Sequence, residues 1–283
     1  MSLSLLVTGA TGFTGRRVVR ALLDDGHRVT AFVRPSSDLP ALPADVRVAI
    51  GDLGVPETLR SALKDQDALV NVASLGFGHA RGIVDAAREA GIHRSVFVGT
   101  TAVHTTLPAP SKAIRLEAEH IVLEGDIGAT LVRPTMIYGA RGDRNFERLL
   151  RFVRRLPIVP IPGDGQGLQQ PVHVEDVARA IAAVVSRGDL VGRAFDIPGP
   201  RALTFDSIVR TVAAVLDRRR LLLHVPAFLA RVVASREQIA RLAEDKSCDP
   251  GAATREFGYS PRSFEVGIRD EARSLGLLDE VAS

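Results

Sequence analysis

The sequence predicts a doubly wound parallel α/β sheet followed by a smaller mixed α+β lobe. Three observations carry this expectation. Apolar, β-rich runs alternate with helical patterns through the first half of the chain, the signature of parallel strands joined by crossover helices. The first run, Leu5-Leu6-Val7-Thr8, passes through Gly9, Gly12 and Gly15, spaced three apart, straight into an amphipathic stretch from Arg16 to Leu23. The rhythm then breaks after Arg133, where prolines and glycines become frequent.

In chain order, strands are expected at Leu3–Thr8, Val29–Val33, Val46–Ile50, Ala68–Val72, Ser95–Gly99 and Ala129–Val132. Helices are expected at Gly12–Asp24, Pro56–Leu63, His79–Ala90 and Ser111–Glu124. Right-handed crossovers then bring the C-terminal ends of the strands, and any ligand, to one edge of the sheet. Beyond Arg133, the run Pro157, Pro160, Pro162, Gly163, Gly165 and Gly167 reads as loop. A helix is expected over Val174–Val185, a strand over Arg193–Ile197, and a helix over Phe205–Leu216 with Thr204 as N-cap. From Pro226 the chain reads as helical in pieces, punctuated by Pro226, Pro250 and Pro261. The division is residues 1–140 as a dinucleotide-binding core and 141–283 as a substrate-binding lobe woven onto it.

Composition narrows the function. The 283 residues are 46% hydrophobic and 24% charged, enough for a substantial core and too apolar for disorder. The single cysteine, Cys248, permits no intrachain disulfide, and the N-terminus enters a strand without a basic leader, so a cytoplasmic protein is expected. No apolar run approaches membrane-spanning length, and no metal site is expected. Net charge is +3, and only Lys64, Lys112 and Lys246 are lysines, so an individual arginine carries little information. Arg151/Arg154/Arg155 and Arg218-Arg219-Arg220 read as solvated helix faces or ends, and aromatics, 5% of the chain, are too sparse for stacking nucleic-acid bases.

The glycine turn carries chemistry. Gly9 permits the turn, Gly12 lets the backbone approach a pyrophosphate, and Gly15 lets the helix pack on the strand. Thr11, Phe13 and Thr14 complete the loop, whose free N–H groups at the helix start hold phosphates. Arg34 follows the strand Thr30–Val33, where an NAD-preferring protein places a carboxylate on the ribose hydroxyls. An arginine there grips a 2′-phosphate instead, with Ser36 and Ser37 as further donors, so NADP(H) is expected over NAD(H).

The pattern Thr-Gly-x-x-Gly-x-x-Gly resembles the short-chain dehydrogenase/reductase superfamily, in its extended, epimerase/dehydratase-like and atypical, NmrA-like branches. That resemblance implies a Rossmann-type fold and a set of site residues. Asp52 would lie near the adenine amino group with Leu53 on the ring, and Ala73 and Ser74 would line the adenosine ribose. Thr100, with Thr101 beside it, would hydrogen-bond the substrate carbonyl or hydroxyl. Arg133-Pro134-Thr135-Met136-Ile137-Tyr138-Gly139 looks like the family's turn facing the nicotinamide, through Pro134 and Met136. Pro171-Val172-His173-Val174-Glu175-Asp176-Val177-Ala178 resembles the family's segment before a helix; His173 is a general-acid candidate whose family position implies packing, and His104 is a proton-donor candidate whose position matches a family tyrosine with a packing role.

The superfamily's Tyr-x-x-x-Lys pair is missing: residues four beyond Tyr138 and Tyr259 are Gly142 and Ser263. Two registers align the helix that should carry it. One takes Lys112 as the lysine and leaves Pro108 for tyrosine; the other matches Arg115-Leu116-Glu117-Ala118-Glu119 and leaves Ser111 and Arg115. Arg115 can bind ribose but barely titrates, and Lys112 is either an ammonium donor to a carbonyl or a solvated first-turn residue. The first expectation is therefore an NADP(H)-binding oxidoreductase or epimerase-like enzyme acting on a small carbonyl or hydroxyl compound. Its active-site candidates are Thr100, Thr101 and Lys112. A non-catalytic NADP(H)-binding redox sensor is the alternative, and a structural subunit of a larger assembly the third class.

Overall fold

A computed structural model describes residues 2–39, 42–143, 145–226, 240 and 242–278. The strands β1 (Ser4–Thr8), β2 (Arg28–Val33), β3 (Arg47–Ile50), β4 (Ala68–Asn71), β5 (Ser95–Val98) and β6 (Ala129–Pro134) fall where period and β-branching predict them. Between them run α1 (Phe13–Asp24), α2 (Pro56–Leu63), α3 (Ala80–Glu89) and α4 (Pro110–Leu123). The remaining elements are β7 (Ile137–Tyr138), α5 (Phe146–Arg155), β8 (Ile158–Pro162), β9 (Leu168–Gln169), β10 (Val172–His173), α6 (Val174–Val185), β11 (Ala194–Ile197), β12 (Leu203–Thr204), α7 (Phe205–Val215), β13 (Leu221–Val225), α8 (Gly251–Phe257) and α9 (Phe264–Ser274).

Seven strands form one sheet in the order β11-β6-β5-β4-β1-β2-β3, with every pairing parallel. Alternating side chains feed two cores. Leu5, Val7, Val70 and Val96 point to one face, under α1 and α6, where Val18, Val19, Leu22 and Ile181 close the layer. Leu6, Leu69 and Phe97 point to the other, under α2, α3 and α4, against Leu59, Ile83 and Val122. Thus α6 and β11, from the second half of the chain, are integral to the large sheet.

A third core sits under α5, α7 and α9, where Tyr138, Phe146 and Phe264 stack at tilted angles with ring centroids 5.1–5.4 Å apart. Here the stretch from Pro157 to Gly167, read from the sequence as loop, contains β8, and α5 precedes it unforeseen. β8 holds Pro160 and Pro162 yet pairs in parallel with β13, because a two-stranded ribbon leaves each strand an edge on which a missing N–H costs no ladder bond. Arg220 donates from Nε to Val153 O (2.6 Å) and from a terminal nitrogen to Arg154 O (2.9 Å). It so caps the C-terminal carbonyls of α5, where a cation suits the helix dipole. Thr204 caps α7 as its sequence position predicts, accepting from Ser207 N–H. The expected helical pieces beyond Pro226 appear as α8 and α9; residues 227–239 and 241 lie outside the described residues.

Candidate functional site

The sheet order reverses between β1 and β4, so the crossovers leave in opposite directions and a cleft opens at the strand ends. At that edge lies a cavity of about 240 Å³ lined by Thr14 from α1, Val72, Ser74 and Leu75 after β4, Val98, Gly99 and Thr100 at the end of β5, Arg115 and Glu119 from α4, Pro134 and Thr135 at the end of β6, and Ile137 of β7.

One wall is the glycine turn. Gly9 has a left-handed backbone (φ +66°), and its carbonyl accepts from Gly12 N–H at 3.0 Å. A Cβ at Gly15 would lie 2.0 Å from Gly9 O, so strand and helix approach as only glycine allows. Thr8 Oγ1 donates to Asn71 Oδ1 (2.6 Å), and Asn71 Nδ2 donates to Ala73 O (3.0 Å), which fixes β4 against β1 directly below the turn. α1 begins with Gly12, which offers no capping side chain, and its first turn carries no acid. Its leading amides therefore suit a dinucleotide pyrophosphate, and the residues present fit that group.

The structure gathers Thr14, Ser74, Thr100, Arg115 and Pro134 around this one cavity. Arg34, Asp52 and Leu53 sit at the ends of β2 and β3, farther along the same sheet edge. The Arg34 guanidinium is exposed and, among the described residues, has no hydrogen-bond or ion-pair partner. Asp52 accepts from Gly54 N–H (2.7 Å), and Leu53 packs on the α2/α3 core. Met136 turns away from the cavity into the third core. Thr101 donates to Pro134 O (3.4 Å), joining the β5 and β6 ends. Thr100 Oγ1 accepts from Ala102 N–H (3.2 Å), which leaves its own hydroxyl hydrogen to donate elsewhere. Lys112 Nζ donates to Thr105 O (2.6 Å) and does not line the cavity.

Two features escaped the sequence reading, the Glu119–Arg133 pair and a buried pair of acids, and two histidines sit differently from expectation. Glu119, in the quoted helix but given no role, is 4% exposed and grips Arg133 through both oxygens (2.8–3.2 Å); Arg133 also lies 3.6 Å from Asp196. His104 is half-exposed and 3.1 Å from Asp196, a polar contact where a packing role was expected. His173 caps α6: Nδ1 accepts from Glu175 N–H, so the proton sits on Nε2, which donates to Gly139 O (3.1 Å). Burial, with Arg262 nearby, pushes this imidazole down to about 4.

The second unforeseen feature is the acid pair. Glu271 of α9 is fully buried and accepts from Gly139 N–H at Oε2 (3.1 Å), while its Oε1 is buried without a hydrogen-bond partner among the described residues and the charge of the buried Asp143 carboxyl acts on it. Burial first and mutual repulsion second push Glu271 up to about 9, while burial raises Asp143 to about 6. The pair therefore holds a proton at neutral pH. An unfolded glutamate titrates near 4.5, so the associated stability is complete below that pH and is lost as pH rises toward 9. Thermal melts should show the wild-type Tm falling from pH 7 to 9, with Glu271→Gln several degrees more stable at pH 8 and less sloped; parallel curves would contradict a protonated Glu271.

Among the described residues no helix is long and apolar enough to cross a membrane, and no group of three or more His, Cys, Asp or Glu could hold a metal ion.

Comparison with known proteins agrees with this geometry. The family described as NAD(P)H-binding matches residues 9–187. A ceramide reductase of Caulobacter vibrioides is 32% identical over 235 residues, 78% of this chain and 73% of that protein. A 2-alkyl-3-oxoalkanoate reductase of Stenotrophomonas maltophilia is 26% identical across 94% of this chain and 98% of its own length. The structure of UDP-glucose 4-epimerase from Thermotoga maritima, solved with UDP-glucose, superposes with a TM-score of 0.79 over 97% of this chain and 99% of that one. At 17% identity it speaks for the fold alone.

Proposed function

Because the chain belongs to the NAD(P)H-binding family of extended short-chain dehydrogenases/reductases, we propose that it is an NADP(H)-dependent reductase of ketones bearing an apolar alkyl chain. The observation that carries this reading is the single cavity in which the glycine turn, the Thr100 hydroxyl and the Arg115 guanidinium meet an apolar wall of Val72, Leu75, Val98, Pro134 and Ile137. The similarity to two reductases, one of them named for a 2-alkyl-3-oxoalkanoate, supports both the reaction and the alkyl group.

In this reading the amides of Phe13 and Thr14 at the start of α1 hold the pyrophosphate, and Ser74 faces the ribose. The coenzyme, when bound, supplies hydride. Thr100 donates its free O–H to the substrate carbonyl and so favours the alkoxide that forms there. Arg115, permanently charged, stabilises the same developing charge without giving up a proton. With no Tyr-x-x-x-Lys pair in the chain, no phenol delivers the proton, and the alkoxide takes it from solvent water. That loss costs about two to four orders of magnitude in rate, so turnover is slow rather than absent.

Arg34 sets the coenzyme preference by pairing with the 2′-phosphate. Arg34→Ala should weaken NADPH about tenfold, roughly 1.4 kcal/mol, and leave NADH unchanged in a fluorescence titration. Equal losses for both coenzymes would contradict the assignment. The reaction itself is tested by NADPH oxidation against 3-oxo esters of increasing chain length, where kcat/KM should rise with the chain. One observation favours a second reading, a coenzyme-responsive binding protein: the Lys112 amine is committed to Thr105 O. Tight NADPH binding with no turnover of any ketone would select it.

A further inference from the structure

The segment 242–248 runs back across the C-terminal edge of the sheet, and none of the roles assigned so far requires it to. Its hold on the site is concentrated in Glu244. Both carboxylate oxygens of Glu244 lie 2.7 Å from the Thr105 hydroxyl, and Oε1 also accepts from Thr106 N–H (2.7 Å) and from the Thr106 hydroxyl (3.1 Å). These bonds hold the carboxyl below its ordinary range against the opposing effect of burial. Thr105 is thus gripped from two sides, its hydroxyl by Glu244 and its carbonyl by Lys112.

On its other flank the segment is fastened to the smaller lobe. Lys246 N–H donates to Leu168 O (2.7 Å), Leu168 N–H to Asp245 Oδ1 (2.8 Å), Gln169 Nε2 to Glu244 O (3.1 Å) and Cys248 N–H to Gln170 Oε1 (2.9 Å). Gln170 O in turn accepts from the hydroxyl of Thr135, a residue of the cavity wall. A chain of hydrogen bonds therefore runs from the Thr135 wall through Gln170 and the segment to Glu244. From there it passes to Thr105 and Thr106 on the loop that begins at Thr100, and Thr101 closes the ring on Pro134 O.

We infer that Glu244 is a positioning residue for the reaction: by clamping Thr105 and Thr106 it fixes the loop between β5 and α4, and with it the direction in which Thr100 presents its hydroxyl to the substrate. The inference rests on the ketone-reductase reading above. The clamp touches nothing in the glycine turn, so the hold on the coenzyme's phosphates is independent of it. Misplacement of a catalytic donor by about 1 Å can cost about 100-fold in rate. Thr106 is exposed and half-buried Thr105 keeps access to water, so releasing them costs little stability.

The test compares wild type, Glu244→Ala and Glu244→Gln by NADPH titration, steady-state ketone reduction and amide hydrogen exchange. Glu244→Ala should lower kcat about 10- to 100-fold with KM and NADPH affinity nearly unchanged, and should speed exchange at Thr106. Glu244→Gln keeps an acceptor oxygen for the Thr106 amide and should recover most of kcat. Unchanged kcat in Glu244→Ala, or a loss of kcat that Glu244→Gln does not repair, overturns the inference. A wild type that reduces no ketone contradicts the functional reading instead. Exchange at Thr106 then decides the clamp: faster exchange in Glu244→Ala supports it, and unchanged exchange overturns it.

Discussion

Gly15→Ala is expected to remove measurable coenzyme binding. The new methyl would lie 2.0 Å from Gly9 O, 2.8 Å from Gly9 C and 2.9 Å from Ala10 Cα, all main-chain atoms of the turn itself. No rotamer relieves such a contact; the turn must open or α1 must lift from β1. Either movement displaces the amides of the first helical turn, whose convergence is the binding site. A loss of at least about 100-fold in NADPH affinity follows, about 2.7 kcal/mol or more. Gly12→Ala is the informative comparison, because its Cβ comes no closer than 3.2 Å to Gly9 O. It should fold as the wild type does and still bind NADPH more weakly, because the methyl stands where the backbone must meet the pyrophosphate. Circular dichroism of both variants separates lost binding from lost fold. Gly15→Ala with wild-type affinity would contradict the assignment of the turn.

The second large effect falls on the Glu119–Arg133 pair. Glu119 is 5% exposed at its side chain and Arg133 18%, and the carboxylate meets the guanidinium at 2.8–3.2 Å. Glu119→Ala leaves Arg133, among the described residues, with only Asp196, at 3.6 Å, and opens a void beside Gly99. Breaking a buried pair on one side costs about 3–5 kcal/mol, because the surviving charge stays buried. For a chain of this size the melting temperature should drop by roughly 10 °C. Removing both charges with apolar residues of similar volume, Glu119→Leu with Arg133→Met, should restore most of that stability. A double variant no more stable than Glu119→Ala would show that shape, not charge, holds α4 to β6.

Much of the fold was legible because it depends on local pattern. The alternation Leu5/Leu6/Val7 and Ala68/Leu69/Val70 places successive side chains in opposite cores, and that is visible along the sequence. Thr204 before an apolar helix is likewise a local signal, and the cap is where the signal puts it. The second lobe was less readable. β8 and β13 pair through main-chain groups more than sixty positions apart, with prolines that argue against a strand unless an edge is available. The glycine turn could be read from spacing alone, whereas the cavity's other walls, Leu75, Glu119, Thr135 and Ile137, come together only through the strand order. Asp143 and Glu271 gave no sign of each other, since nothing in either neighbourhood marks a carboxyl destined for burial near another. The Lys112 amine looked available in the sequence, and its commitment to Thr105 O depends on how the loop before α4 folds back.

The central claim is that a pyridine dinucleotide lays its phosphates on the amides between β1 and α1. Calorimetric titration of the wild-type protein with NADPH and NADH tests it most directly. The account predicts saturable, one-to-one binding of NADPH, about tenfold tighter than NADH and abolished by Gly15→Ala. No binding heat for either coenzyme, or a signal that survives Gly15→Ala undiminished, would contradict it.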